Sequence, residues 1–145
     1  MNVSEITRTV LVTVTMDYTL GQARDIMQKK KIRHLLVMDE GELAGIITDR
    51  DVRSHLSPLI NTPVEGAADE KTLTTKVHKV MTRNLITVSA ETPIDEAVDL
   101  ILTHKLGCLP VINKDGSTLG IVTDVDFLRY LAKELREKKA VESLK

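Results

Sequence analysis

One short string occurs twice in this chain, and the duplication constrains the fold more than any other feature. The string Gly45-Ile46-Ile47-Thr48-Asp49-Arg50-Asp51 returns almost unchanged at residues 120–126. In both copies a glycine and two β-branched residues precede Thr-x-x-Asp, which is typical of a buried strand that ends in a helix. An internal repeat decides how the whole chain divides, so it has to be explained before any single element.

The similarity extends upstream of this string. Residues 12–14 match residues 86–88, and residues 32–38 match residues 106–112. The two copies differ by one residue in a turn rich in Asp, Gly and Lys, where surface loops tolerate insertions. Each copy predicts the order strand, helix, strand, strand, helix. The predicted fold class is therefore α/β (α+β), built from two β-α-β-β-α repeats.

The repeat also sets the predicted domain boundaries. Residues 4–57 form the first repeat and residues 77–136 form the second. Residues 58–76, with their prolines and threonines, form a linker that contains a turn of helix. Residues 137–145 form a charged tail in which the last helix frays.

Local signals predict the individual elements. Residues 10–15 are rich in β-branched side chains and predict the first strand. Thr19 or Asp17 is the predicted N-cap of the first helix, and Thr92 is that of its counterpart, with Pro93 at the first helical position. The apolar face of the counterpart helix consists of Ile94, Ala97, Val98, Ile101 and Leu102. The last helix carries an apolar stripe that a second subunit could cover, consisting of Phe127, Leu128, Leu131 and Leu135.

Composition excludes several classes of function. The net charge of the 145 residues is −1 and aromatic residues make up 2%, so neither a basic surface nor a stacking platform for nucleic acid is expected. No apolar run is long enough to cross a membrane, and the N-terminus lacks a signal-peptide pattern. Cys108 is the single cysteine, which excludes an intramolecular disulfide and favours a reducing compartment. We therefore expect a cytoplasmic protein that binds neither nucleic acid nor membrane.

Both copies resemble the tandem cystathionine β-synthase (CBS) domain pair, also called a Bateman module. The residues that carry the resemblance are Ile32-Arg33-His34-Leu35-Leu36-Val37-Met38-Asp39, Gly107-Cys108-Leu109-Pro110-Val111-Ile112, Val80-Met81-Thr82 and the two strings described above. The resemblance covers residues 4–130 and brings no catalytic domain, as in stand-alone pairs of the acetoin-utilisation type. It implies two repeats packed with pseudo-twofold symmetry, adenosyl ligands in clefts between them, and chains that pair as homodimers.

The resemblance also implies which residues contact the ligand. The ribose hydroxyls are held by Asp51 and Asp126, and phosphate or ribose is contacted by Thr48 and Thr123. The adenine edge is read by backbone near Thr13 and Thr87, and phosphate is met by Arg33 and His34, with Arg50 as a further candidate. In the second repeat, Gly107 and Cys108 replace the basic pair. That cleft therefore has no basic side chain unless Arg8 or Arg83 supplies one.

Elementary chemistry allows two interpretations of Thr-x-x-Asp. Thr48 and Thr123 are predicted to stand where a strand ends in a helix, where free backbone N–H groups are available to phosphate. A carboxylate one helical turn further can accept both vicinal hydroxyls of a ribose. The same pattern is also that of a helix capping box, which would explain the residues without any ligand.

Three functional hypotheses follow. The leading one is a regulatory sensor of an adenine nucleotide (AMP, ADP or ATP) that has no covalent cofactor and acts through its own dimer or on a regulated enzyme or transporter. The second is a sensor of S-adenosylmethionine or of a dinucleotide, and the third is a ligand-free dimerisation scaffold. An enzyme is disfavoured, because the histidines have no metal-ligand spacing and no nucleophile or phosphate-loop motif is present.

Overall fold

The computed structural model describes residues 1–9 and 12–144. Its strands and helices are, in chain order, β1 Thr13–Thr15, α1 Leu20–Lys30, β2 His34–Asp39, β3 Glu42–Thr48, α2 Asp49–His55, α3 Ala67–Thr72, β4 Val88–Ser89, α4 Ile94–His104, β5 Cys108–Ile112, β6 Thr118–Thr123 and α5 Asp124–Ser143. The predicted order of elements is confirmed in both repeats, and α3 is the predicted turn of helix in the linker. The first strand was predicted over residues 10–15, of which 10 and 11 lie outside the described residues.

Two three-stranded sheets have the same topology. In the first, β1 runs parallel to β2 and β2 runs antiparallel to β3. In the second, β4, β5 and β6 repeat this arrangement, including a register shift at the same place in the hairpin. The mixed α and β class predicted from the sequence is therefore confirmed.

The chain divides into two compact units, of which one is continuous in sequence and the other combines two segments. One unit consists of Val12–Leu85, and the other combines Met1–Leu11 with Ile86–Lys145. We call them the Val12 unit and the Ile86 unit. Each is built around an aliphatic core, with Phe127 as the one aromatic side chain among the buried residues of the Ile86 unit core.

A lead-in segment completes each unit. Residues 2–9 pack on the second sheet, where the Val3 N–H donates to the Thr92 carbonyl at 2.9 Å. Residues 76–83 pack on the first sheet, where the Val77 N–H donates to the Tyr18 carbonyl at 2.8 Å. Val3 and Val77 are both fully buried at the first position of a short 3-10 turn. Each repeat thus receives, in space, the lead-in segment that precedes the other repeat in sequence.

The glycine that begins each repeated string allows this close packing. A Cβ placed on Gly120 would lie 2.0 Å from the carbonyl oxygen of Arg8, and one on Gly45 would lie 2.8 Å from that of Thr82. Each lead-in segment forms an antiparallel bridge to the residue after the glycine, Arg8 with Ile121 and Thr82 with Ile46. Glycine is therefore needed for the approach of a neighbouring backbone.

The predicted N-cap is confirmed for α1 of the first repeat and is wrong for α4 of the second. Thr19 caps α1 as predicted, because its hydroxyl oxygen accepts the Gln22 N–H at 3.1 Å. Thr92 was predicted to cap α4, and this is wrong. The N-cap is Pro93, whose ψ of 146° keeps it outside the helix. The Thr92 hydroxyl oxygen instead accepts the Ser89 N–H at 3.1 Å and closes the preceding turn.

Two further expectations for the helices fail. Leu102 was placed on the buried face of α4 but is exposed, and Leu100 packs against the core in its place. α5 was expected to fray near residue 137 but continues to Ser143. Of its apolar stripe only Phe127 is buried, and the exposed members are Leu128, Leu131 and Leu135.

Candidate functional site

The first Thr-x-x-Asp turn lies in the Val12 unit, where β3 ends and α2 begins. The Thr48 hydroxyl oxygen accepts the Asp51 N–H at 3.1 Å, and Asp51 Oδ2 accepts the Thr48 N–H at 2.9 Å. This is a reciprocal capping box. The capping interpretation of the sequence is therefore realised. It uses one carboxylate oxygen of Asp51, and no residue of 1–9 or 12–144 accepts a hydrogen bond from the Thr48 hydroxyl.

The backbone N–H groups of this turn are occupied, which corrects the expectation that they are free for phosphate. The Asp49 N–H donates to the Arg33 carbonyl at 3.0 Å. The Arg50 N–H donates to Asp49 Oδ1 at 2.9 Å, and the Asp51 N–H donates to Thr48. Any phosphate bound here would depend on side chains.

The basic pair lies next to this turn. His34 is the first residue of β2 and pairs in register with Thr48, and the exposed Arg33 precedes it. Thr13 begins the neighbouring strand β1 and is exposed at the same end of the sheet, opposite Leu36. The exposed Arg50 is the second residue of α2. The structure thus brings Thr13, Arg33, His34, Thr48, Arg50 and Asp51 to one end of the first sheet.

The second Thr-x-x-Asp turn lies in the Ile86 unit, and its carboxylate is far more engaged. Asp126 Oδ2 accepts the Thr123 N–H at 2.8 Å and the Thr123 hydroxyl at 3.1 Å. Asp126 Oδ1 accepts Arg8 Nε at 3.0 Å and lies 3.8 Å from Nη1 of Arg129. The Asp126 side chain is 6% exposed. This ion pair was not predicted, since the sequence suggested Arg8 as a phosphate partner.

The strand start in the Ile86 unit has a different chemistry. Gly107 accepts the Asp124 N–H at 3.0 Å, as Arg33 accepts that of Asp49, but contributes no side chain. Cys108 pairs in register with Thr123 and is buried. Burial, followed by the nearby negative charge of Asp124, raises the pKa of the Cys108 thiol to about 12. Thr87 is exposed just before β4.

Arg83 lies at the opposite end of the first sheet from Thr48. Its Nη2 donates to the His78 carbonyl at 3.0 Å. Together with Thr15, Asp39 and Glu40, it lines a cavity of about 370 Å³ beside the hairpin turn. Within the Val12 unit, the structure therefore does not bring Arg83 to the Thr48–Asp51 turn. The residue that occupies the place of Arg8 in the Val12 unit is Thr82, because each bridges the strand residue after the glycine.

A second group of arginines was not predicted from the sequence. Arg24 of α1 and Arg53 of α2 join Arg33 around a cavity of about 260 Å³. Arg53 pairs with Asp49 at 3.5 Å, and Arg24 with Asp25 at 3.4 Å. Helical spacing alone would have placed both arginines on solvated faces, so only the packing of the two helices brings them together.

Residues 1–9 and 12–144 contain neither a metal-binding cluster nor a membrane-spanning helix. No group of three or more His, Cys, Asp or Glu side chains is arranged to hold a metal ion. No helix in this part of the chain is long and apolar enough to cross a bilayer.

Two like-folded units, each with a Thr-x-x-Asp turn at the end of a three-stranded sheet, define a tandem-repeat protein. The CBS domain family matches at residues 3–58 and 77–133, and the chain belongs to this family. A CBS domain-containing protein of Dictyostelium discoideum is 38% identical over 127 residues, which cover 86% of this chain and 87% of that protein. Inosine-5'-monophosphate dehydrogenase of Methanocaldococcus jannaschii is 32% identical over 132 residues, covering 89% of this chain but 24% of the enzyme.

Solved structures share the fold over nearly the whole chain. A Vibrio cholerae protein described as an acetoin utilization protein has a TM-score of 0.79 and 25% identity, covering 97% of this chain and 96% of that one. The CBS domain pair of protein MJ0100, in complex with 5'-methylthioadenosine and S-adenosyl-L-methionine, has a TM-score of 0.76 and 26% identity, covering 92% and 98%. Protein CBSX2 in complex with AMP has a TM-score of 0.74 and 27% identity, covering 91% and 96%.

Proposed function

We propose that this protein is a regulatory module that senses an adenosyl ligand, namely AMP, ADP or ATP, at the Thr48–Asp51 turn of the Val12 unit. One observation carries the proposal. Within the described part of the chain, no group pairs with the second carboxylate oxygen of Asp51 or accepts the hydroxyl proton of Thr48, and an exposed arginine lies beside them. Relatives of the same fold are described as complexes with AMP and with S-adenosyl-L-methionine, which supports an adenosyl ligand.

The chemistry of each group suggests its role. Oδ1 of Asp51 is available to accept the vicinal hydroxyls of a ribose, since Oδ2 already accepts the Thr48 N–H. The Thr48 hydroxyl already accepts the Asp51 N–H and still has its proton to donate to the ligand. Arg33 supplies a charge-assisted and potentially bidentate contact to phosphate. Because the N–H groups of the turn are occupied, Arg33 becomes the main phosphate contact of this proposal.

A ligand panel tests the proposal directly. Purified protein is titrated with AMP, ADP, ATP, S-adenosylmethionine and NADH while thermal unfolding is followed. A ligand at 100 times its Kd adds about 2.7 kcal/mol of stability, which corresponds to several degrees. We expect a shift with at least one adenine nucleotide. A shift with S-adenosylmethionine or NADH alone would favour the second hypothesis, and no shift with any of the five would leave the dimerisation scaffold.

Two variants assign the site. Asp51→Asn keeps an oxygen for the Thr48 N–H but removes the charge, so we expect at least a tenfold loss of AMP affinity. Glu42→Gln, an exposed acid at the other end of β3, is the matched control and should bind as the wild type does. Arg33→Ala should weaken AMP and ATP far more than adenosine. Equal losses for the three ligands would remove Arg33 from the phosphate role.

We also propose that the chain acts as a homodimer. The outer face of α5 exposes Leu128, Leu131 and Leu135, each more than half accessible, and apolar patches of this kind are typical of interaction surfaces. Leu131→Glu should lower the sedimentation coefficient from that of a dimer to that of a monomer. A wild-type chain that already sediments as a monomer at micromolar concentration would exclude this assembly.

The regulatory role is proposed without catalysis. The single cysteine is buried with a raised thiol pKa, so it is a poor nucleophile. A free cysteine is also consistent with the proposed cytoplasmic location. The partner enzyme or transporter would be found through a change of its activity that depends on the ligand and is lost in Asp51→Asn.

A further inference from the structure

We propose that Arg8 acts as an internal lock on Asp126, so that the chain binds one adenosyl ligand, at the Thr48–Asp51 turn, while the Thr123–Asp126 turn stays closed. This inference rests on the proposed function, because it assigns the ligand to one of two equivalent turns. It concerns only contacts within each unit.

Three hydrogen bonds and a second arginine engage the carboxylate of Asp126. A carboxylate offers about four acceptor positions. Oδ2 accepts the Thr123 N–H and hydroxyl and Oδ1 accepts Arg8 Nε, whereas Arg129 Nη1 lies 3.8 Å from Oδ1, an ion-pair distance beyond that of a hydrogen bond. The Thr123 hydroxyl is also committed, because a carboxylate can only accept and the hydroxyl must therefore give its proton to it. These contacts leave one acceptor position of the carboxylate, faced by Arg129, and no hydroxyl proton, which is too little to hold both vicinal hydroxyls of a ribose.

The Asp51 turn has the same backbone frame and remains open. Among residues 1–9 and 12–144, the Thr48 N–H is the only hydrogen-bond donor to the Asp51 side chain, at 2.9 Å. The Thr48 hydroxyl accepts a hydrogen bond in place of donating one. The difference between the two turns is therefore one of neighbours, since the Thr and Asp residues are identical.

The neighbour that differs is one residue of the lead-in segment. Arg8 exchanges two backbone hydrogen bonds with Ile121, and Thr82 exchanges the corresponding two with Ile46. Arg8 therefore starts from a fixed position beside the turn, and its Nε reaches Asp126. Thr82 holds the same position in the Val12 unit, but its side chain is short and uncharged, so it cannot form an ion pair with Asp51.

Ribose hydroxyls would compete poorly with this arginine. Arginine and ribose hydroxyls would both make charge-assisted hydrogen bonds to the carboxylate, but only the arginine adds the attraction of an opposite charge. The Asp126 side chain is 6% exposed and Arg8 is 42% exposed, so the carboxylate would lose its charged partner while it remained buried. Displacement of Arg8 would therefore cost more than neutral hydroxyls return.

The first test transfers the lock to the other unit. Thr82→Arg places a guanidinium where Arg8 stands in the Ile86 unit, and Thr82→Gln is the matched control of similar reach without charge. By isothermal titration with AMP, we expect one site per wild-type chain, at least a tenfold weaker Kd in Thr82→Arg, and a Kd within threefold of wild type in Thr82→Gln. Two wild-type sites, or unchanged affinity in Thr82→Arg, would overturn the proposal.

The second test opens the locked turn. Arg8→Gln removes the charge, retains a polar side chain and guards against the loss of folding that Arg8→Ala could cause. The probe is 5'-methylthioadenosine, which carries no phosphate and so does not need the basic pair that this unit lacks. We expect its addition to shift the backbone amide resonances of Thr123 and Asp126 in Arg8→Gln and not in wild type. Shifts in the wild type, or none in the variant, would contradict the lock.

Failure of the lock and failure of the proposed function give different results. If wild type binds neither AMP nor 5'-methylthioadenosine, the ligand assignment is wrong. The lock is then judged by the Nε–H resonance of Arg8 alone, which should move on Asp126→Asn and exchange with water at least tenfold more slowly than that of the exposed Arg136. An Arg8 resonance that is unaffected by Asp126→Asn would overturn the lock whatever the ligand.

Discussion

The two Thr-x-x-Asp turns share residue types, backbone frame and position at the end of a sheet, yet they leave different groups accessible. In the Ile86 unit, Arg8 and Arg129 meet a carboxylate that is almost fully buried. In the Val12 unit, Asp51 makes a capping contact and has Thr82 as its lead-in neighbour. A motif therefore determines local geometry, whereas a residue from a distant segment determines which of its polar atoms remain available.

The strand starts show the same divergence. Arg33 and His34 place basic groups beside one turn, and Gly107 and Cys108 place none beside the other. Both differences point in the same direction, since the turn with the less engaged carboxylate is also the one beside basic side chains. Exchanges of single residues between equivalent positions of the two units test these differences.

The largest expected difference concerns the reactivity of a thiol at the two strand starts. Cys108 is 8% exposed, and the rise of its pKa from 9.0 to about 12 leaves very little thiolate at pH 8. Alkylation by iodoacetamide should therefore be about a thousandfold slower in the native protein than in urea. His34→Cys in a Cys108→Ser background places a thiol at the equivalent, half-buried position and should react faster than Cys108. Equal rates would remove the chemical contrast between the two starts.

The raised pKa of Cys108 also gives the direction of a pH effect. Because the folded state holds the proton more tightly than the unfolded state, this group contributes its full stability below about pH 9 and loses it progressively as the pH rises towards 12. Cys108→Val should flatten the decrease of the unfolding free energy over this range. A decrease of the same steepness in the variant would assign it to other groups.

The next largest effect concerns the two repeated glycines. Gly120→Ala brings a Cβ to within 2.0 Å of the Arg8 carbonyl, so the lead-in segment has to move. Gly45→Ala meets Met81 Sδ at 2.7 Å and the Thr82 carbonyl at 2.8 Å, and the methionine side chain can move aside. We expect losses of about 3 kcal/mol for Gly120→Ala and about 1–2 kcal/mol for Gly45→Ala in urea unfolding. A loss below 0.5 kcal/mol at Gly120 would mean that the lead-in segment is not held by this contact.

The glycines also show how much of the fold could be predicted. Periodicity and the repeat predicted every strand and helix in order, because those signals are local and occur twice. The requirement for glycine at residues 45 and 120 could not be predicted, because the backbone that each glycine contacts belongs to a lead-in segment far away in sequence. The predicted N-cap of α4 was wrong for a more local reason. Thr92 had two competing uses, capping the helix or closing the turn at Ser89, and packing of the lead-in segment selected the second.

For the candidate site, too, the local arrangement could be predicted and the long-range contacts could not. Strand pairing brings Arg33, His34 and Thr48 together, as the family resemblance implied. The contact between Arg8 and Asp126 joins residues 118 positions apart, and no periodic signal reports it. The sequence suggested Arg8 and Arg83 as equivalent arginines, but the bridges make Thr82 the counterpart of Arg8, an offset of one residue that decides which turn is locked.

A moderate difference in unfolding free energy is expected between the variants that lack one or the other carboxylate. Asp126→Ala loses the ion pair with Arg8 and two hydrogen bonds from Thr123, and should cost about 2 kcal/mol, since Arg8 is exposed enough to be solvated. Asp51→Ala loses a capping contact and should cost about 1 kcal/mol. Urea unfolding of the two variants, at the same protein concentration, checks the order. A larger loss for Asp51→Ala would contradict the view that only Asp126 is structurally committed.

The smallest expected change in unfolding free energy comes from residues 53 and 128, and it distinguishes a helix ion pair from a subunit interface. Asp49 and Arg53 form an i,i+4 pair at 3.5 Å in α2, with side chains 33% and 72% exposed. The equivalent positions in α5 are Asp124 and the exposed Leu128. Arg53→Leu should cost about 0.3–0.5 kcal/mol, and Leu128→Arg should add a similar amount by creating the missing pair. Unfolding of Leu128→Arg at two protein concentrations then decides between two uses of this position. A small gain at both concentrations makes Leu128 a solvated helix residue, whereas a loss that grows with concentration places it in a subunit interface, where the charge would be buried against the partner.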